Sequence, residues 1–190
     1  MGSDRYHIHK YISPNARNAE MPIPPVLENM EIFNAGAVSI GVEFRVLTDE
    51  LIASLGVKVS PEIGTLNDQG VSLHVFVKAE DGDLERLRFD CFDEDPHYHY
   101  ISWRQLYNDW VYIDPALQGD VLNWCLNVML TRLPWMLEKA GVENAAELVD
   151  SRRLEDIWPR VTEAAYRARF YSNKDRIIKE TLAVGERMRG

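Results

Sequence analysis

Cysteine is nearly absent from this sequence: Cys91 and Cys125 are the only two in 190 residues. They form neither a CxxC pair nor a disulfide framework, which favours a reducing, cytoplasmic setting over a stapled secreted scaffold. Long apolar runs are missing as well, since none approaches the roughly 18 residues needed to span a bilayer. Residues Met1 to His7 carry no apolar stretch of the kind that opens a secretory signal, so no membrane association is expected. Several catalytic signatures are also lacking. There is no G-x-S-x-G elbow, no phosphate-cradling glycine loop and no H-E-x-x-H pair. Positive charge is in short supply, with 21 Lys and Arg against 30 Asp and Glu for a net charge of -9. The shortage is concentrated in residues 1–150, which hold 11 basic and 24 acidic side chains, whereas residues 151–190 hold 10 and 6. Such an acidic body repels phosphate backbones, so a nucleic-acid partner is not expected.

What is present reads as an ordinary globular chain. Hydrophobic residues make up 46% and charged residues 27%, enough for one domain with a proper core. Pro14, Pro22, Pro24 and Pro25 remove backbone donors from residues 1–30, which read as an irregular lead-in. Residues 31–190 then read as a single domain, mainly strands over 31–114 and mainly helices over 115–190. Val38, Ile40, Val42, Phe44 and Val46 recur with the period of two that marks a half-buried strand. Thr48-Asp49-Glu50 looks like the cap of a short helix stopped by Gly56. Two further strands follow around Val71–Lys78 and Leu87–Phe92, linked by a turn at Asp81-Gly82, and a fourth runs from His97 to Trp103. The links are too short for parallel crossovers, so the expected fold is α+β, an antiparallel meander of about four strands. Beyond about Pro115 the spacing becomes helical, and those C-terminal helices should cover one face of the sheet. Pro134 is expected to kink or end one helix, and Pro159 to stand near the start of another.

The chemistry worth pursuing lies in the histidines. Four of the five form two HxH pairs, His7/His9 and His97/His99, and the fifth is His74. Residues two apart on a strand share a face, so each pair aims two imidazoles the same way, as nitrogen ligands to a transition metal often are. Aligning the apolar faces places Val75 opposite Phe89 and Leu73 opposite Cys91, which sets His74 opposite Asp90. A four-residue loop Asp93–Pro96 would then set Asp90 opposite His99. The expected result is a row of His74, Asp90 and His99 on the face away from the helices, with His97 within reach. Phe76, Arg88, Phe92 and Trp103 would wall it, and Glu43 would join it if its strand lay alongside. Two imidazoles and a carboxylate match non-haem iron and zinc ligand sets. The His97-Tyr98-His99 strand is similar to that of the cupins, but Trp103 and Arg104 stand where their metal-binding Glu is expected, so cupin function is not implied. Cys91, Cys125, Tyr98, Tyr100 and most of the five tryptophans read as core.

Two functions are compatible with these features. In one, the chain binds a small molecule or a divalent metal such as zinc or iron on an open sheet face, with the reaction, if any, unnamed. In the other, it is a non-catalytic acidic domain that docks on a protein partner through its charge and aromatic surface. An unpaired edge strand would also allow a homodimer.

Overall fold

Alternation drives the central layer. Val38, Ile40, Val42 and Phe44 turn to one side of their strand, and Val71, Leu73, Val75, Leu87 and Phe89 continue that apolar surface across the neighbouring strands. The structure is a computed structural model that describes residues 22–56, 66–79, 82–102 and 107–189. Among them, six strands pair antiparallel in sequence order: β1 (Glu31–Ala35), β2 (Val38–Thr48), β3 (Asn67–Ala79), β4 (Gly82–Phe92), β5 (His97–Ser102) and β6 (Tyr107–Tyr112). The meander is therefore two strands wider than the periodicity suggested. β1 was hidden in a short segment with an exposed Ile32, and β6 in the mixed run Tyr107-Asn108-Asp109-Trp110. His7, His9 and Trp103 lie outside the described residues, as does Asp81 of the expected turn.

Six helices complete the α+β fold: α1 (Asp49–Ser54), α2 (Pro115–Gln118), α3 (Val121–Lys139), α4 (Ala145–Leu148), α5 (Ser151–Tyr171) and α6 (Lys174–Arg189). Helices α3 and α5 lay Leu126, Met129, Leu133, Val161 and Ala165 on the apolar side of the sheet. Each such side chain contributes on the order of 1.5–3 kcal/mol by leaving water. That packing overrides both prolines. Pro134 lies inside α3 and Pro159 inside α5, with buried residues on either side of each. The ring costs a helix interior about 3 kcal/mol, which core contacts on both flanks exceed. The start of α5 is instead fixed at Asp150, whose Oδ1 accepts from the Arg153 amide at 3.1 Å. Helix α6 crosses α1 at Gly185, where a Cβ would lie 2.4 Å from the Ser54 carbonyl oxygen. No helix among the described residues is long and apolar enough to cross a membrane.

The second face of the sheet differs from expectation. It is polar but not open: Ser39, Glu43, Arg45, Ser72, His74, Arg88 and Asp90 are all buried. Part of the cover is residues 22–30, ending in a 3-10 turn at Leu27–Asn29. Ile23 packs with Leu47, Ile52 and Phe92 in a small apolar cluster, and the Met30 sulfur lies over Gly41, 2.3 Å from where a Cβ would be. Glycine is required there because any side chain would collide with the crossing segment.

Candidate metal centre

Strands β2 to β6 each deliver between one and three polar side chains to this covered face. The pairing that does so differs from the expected register by two residues. In the β3–β4 ladder Leu73 faces Phe89, Val75 faces Leu87, Ser72 faces Asp90 and His74 faces Arg88. In the β4–β5 ladder Asp90 faces His97 and Arg88 faces His99. A slip of two leaves every side chain on its own face, so polarity alone does not distinguish the two alignments. The expected row of His74, Asp90 and His99 is thereby split into two clusters.

The first cluster joins Asp90 with both histidines of β5. Asp90 Oδ2 lies 3.4 Å from His97 Nε2 and 3.3 Å from His99 Nε2, and one ligand atom from each residue falls within 4.8 Å of the others. The outer atoms are all engaged. His97 Nδ1 is 2.6 Å from the Asp95 carbonyl oxygen, which only accepts, so that nitrogen carries the proton. His99 Nδ1 is 2.8 Å from Asn108 Oδ1 on β6, and Ser72 Oγ donates to Asp90 Oδ1. In the neutral tautomers that these contacts select, each imidazole turns an Nε2 lone pair toward the free oxygen of the carboxylate. Burial pushes the His99 pKa down to about 4, and the neighbouring His97 adds to this against the pull of Asp90. For Asp90, burial opposes the charge, but His97, His99 and the Arg88 guanidinium hold its carboxyl well below the usual range. Near neutrality the cluster is thus an anion facing at least one neutral imidazole.

Three converging lone pairs repel unless a proton or a cation lies among them. The separations favour the cation. Charge-assisted N–H···O contacts are about 2.7–2.9 Å, shorter than either distance here. Two donors bound at about 2.0–2.1 Å around a tetrahedral metal stand about 3.3–3.4 Å apart. The supports on Asp95, Asn108 and Ser72 are the hydrogen bonds that ordinarily fix ligand orientation in metal sites. Rings border the cluster, with Trp110 centred 4.8 Å and Phe92 5.8 Å from the His97 ring. Trp110 thus belongs to the polar face rather than the core, and Trp135 is likewise outside the core at 62% exposure.

The second cluster surrounds His74. Its Nδ1 lies 2.6 Å from Glu85 Oε1, and its Nε2 stands 3.1 Å from Glu43 Oε1, off the line of a hydrogen bond. Arg88 grips Glu85 through Nε at 2.8 Å and Nη2 at 2.7 Å, and Arg45 Nε pairs with Glu43 at 3.2 Å. Burial lowers the His74 pKa, but the two carboxylates outweigh it and leave the pKa raised. Glu85 is driven to about 2: burial opposes ionisation, and Arg88 and His74 overcome it. Phe76 stacks on His74 at 6.0 Å. Of the expected wall, Phe92 borders the first cluster, while Phe76 and Arg88 belong to the second. Two cavities of about 390 and 280 Å³ flank the α5–α6 junction instead, and neither is lined by Asp90, His97 or His99.

Glu85 and Asn108 escaped the sequence reading. Glu85 reaches the polar face through a bulge: Val75 pairs with Leu87 and Phe76 with Glu85, so Arg86 is the extra residue. Asn108 lies on a strand whose alternation is too weak to register.

Residues 32–165 match a family described as a domain of unknown function, DUF7700, and the chain belongs to that family. No curated protein and no solved structure matches the sequence.

Proposed function

We propose that this DUF7700 chain binds a divalent transition metal through Asp90 Oδ2, His97 Nε2 and His99 Nε2. The observation that carries the reading is the 2.6 Å contact of His97 Nδ1 with the Asp95 carbonyl, which turns Nε2 toward Asp90 Oδ2 at 3.4 Å. Zinc fits the surroundings better than iron. With side-chain exposures of 13%, 8% and 3% for His97, His99 and Asp90, there is little space for the three open positions of an iron facial triad. Zinc with three protein donors keeps one position for water or a small ligand, and lowers the pKa of that water to about 7. Small-molecule binding would then take place at that fourth position.

The test is metal analysis of tag-free protein dialysed against limiting zinc, alongside Asp90→Asn and His99→Ala. One equivalent in the parent and a small fraction of that in both variants is the expected result. Equal, substoichiometric zinc in all three would overturn the reading.

A further inference from the structure

The acid of the candidate centre shares its guanidinium neighbours with the segment that covers the polar face. Arg45 Nη2 donates to the carbonyl oxygens of Ile23 at 3.2 Å and Pro24 at 3.1 Å, while its Nη1 stands 4.0 Å from Asp90 Oδ1. Arg88 Nη1 donates to the Ile23 carbonyl at 2.6 Å, and its other nitrogens hold Glu85. Both side chains are buried, so their charges interact in a medium far less screening than water. Around Asp90 the face holds Glu43 and Glu85 against Arg45, Arg88 and a His74 that favours its charged form, with Asp68 buried further along β3.

We propose, resting on the metal-binding reading above, that a divalent cation at Asp90, His97 and His99 and the docking of residues 22–30 on Arg45 and Arg88 oppose each other. A bound cation takes up the negative charge of Asp90, which is one of the two carboxylates close to Arg45. It also adds two positive charges beside two buried guanidiniums. Arg45 is the cation through which this is felt at the segment, since one of its terminal nitrogens stands 4.0 Å from Asp90 Oδ1 and the other holds the Ile23 and Pro24 carbonyls. The relief is for the guanidinium to swing away from Asp90, and its hold on the Ile23 and Pro24 carbonyls goes with it. The other anchors of the segment are the buried Val26, the Ile23 cluster, Met30 over Gly41, and an exposed pair between Glu28 and Arg187 at 2.5 Å. A segment held at separate points can open locally while the sheet stays folded. Linkage makes the effect reciprocal, so docking of the segment lowers metal affinity by the same factor that metal weakens docking.

Hydrogen exchange of the full chain tests this at the Asn29 and Met30 amides, which donate to the Val26 and Leu27 carbonyls at 2.9 and 3.1 Å. The samples are run with zinc and with chelator, and zinc content is measured on each. Zinc should speed exchange at both amides by about tenfold, within the usual range of coupling between sites. Arg45→Gln should free the segment in either state, make its exchange insensitive to zinc and, by the same linkage, tighten zinc binding about tenfold. Should this variant unfold, Asp90→Asn serves in its place: it should loosen the segment with or without zinc. One equivalent of bound zinc with unchanged exchange would overturn the coupling and leave the metal centre standing. Absence of bound zinc would remove both.

Discussion

Asp90 on β4 and His97 on β5 face each other directly in the ladder, with the carboxylate Oδ2 3.4 Å from an imidazole Nε2 whose ring is held from behind by the Asp95 carbonyl. The pair fixes a direction as well as a distance. Asp90→Asn replaces an anionic donor by an amide of the same shape, so zinc affinity should fall at least about a hundredfold. The parent protein should gain about 2.7 kcal/mol of stability at a free zinc concentration of about 100 times Kd. Thermal melts with and without zinc read both, and a variant that still gains stability from zinc would contradict the assignment of Asp90.

Asn108 acts on the centre through His99, whose Nδ1 is 2.8 Å from its Oδ1. Asn108→Ala leaves all three donors in place but frees the His99 ring to rotate, which should weaken zinc binding about 10- to 100-fold. Asn108→Asp supplies an acceptor of the same length and should restore most of the loss. Competition with a chromophoric chelator measures both variants, and an unchanged affinity in Asn108→Ala would show that the ring is held by other means.

Glu85 is the counter-charge on which two buried cations depend. Glu85→Gln leaves Arg88 and His74 without it, at an expected cost of about 3–5 kcal/mol in urea unfolding at neutral pH. The acid side carries the same signature. The Glu85 pKa is depressed to about 2, so its contribution is present above the ordinary carboxylate value and is lost as pH falls from there toward about 2. That contribution amounts to about 3 kcal/mol, and the variant should lack this part of the acid limb.

His74 works in the opposite sense. Its pKa is raised by Glu43 and Glu85, so the stabilisation is complete below the ordinary imidazole value and fades as pH rises through the folded one. Melting temperatures taken in chelator from pH 6 upward should fall for the parent protein. His74→Gln should start lower and show a flatter profile over the same range, and parallel profiles would contradict a charged His74.

Gly70 pairs with Phe92 at the far end of the hairpin, and a Cβ there would lie 2.4 Å from the Cys91 carbonyl oxygen and 2.8 Å from the Phe92 Cα. Neither contact can yield without moving backbone. Gly70→Ala should therefore cost about 1–3 kcal/mol by chemical denaturation.

Alternation along β2, β3 and β4 was enough to read an antiparallel meander backed by helices, because each strand buries one side against α3 and α5. It also placed Asp90, His97 and His99 on the opposite side from Phe89 and Tyr98. It failed wherever a rule local to the chain competed with packing. Pro134 and Pro159 stay helical because core residues flank them. The pairing of Asp90 was displaced by two because a shift of that size conserves sidedness. That the lead-in lies against the domain was legible from its apolar residues, Ile23 among them, but its place over Arg45 and Arg88 was not, since they bond to the Ile23 and Pro24 carbonyls and backbone carbonyls leave no mark in a sequence. The same holds for Asp95, whose contribution to His97 is its main-chain oxygen.

Arg86 has a consequence of another kind. Downstream of it the even-numbered residues Arg88 and Asp90 turn to the charged side, and upstream of it the odd-numbered Glu85 does so. The parity of β4 reverses at that one position, and without the reversal an acid would be driven into the layer occupied by Leu87. Shortening the chain by Arg86 would bring Leu84, Glu85 and Leu87 into plain alternation on the sides they already occupy. Its removal should therefore be far better tolerated than the change of a single atom in its neighbour Glu85.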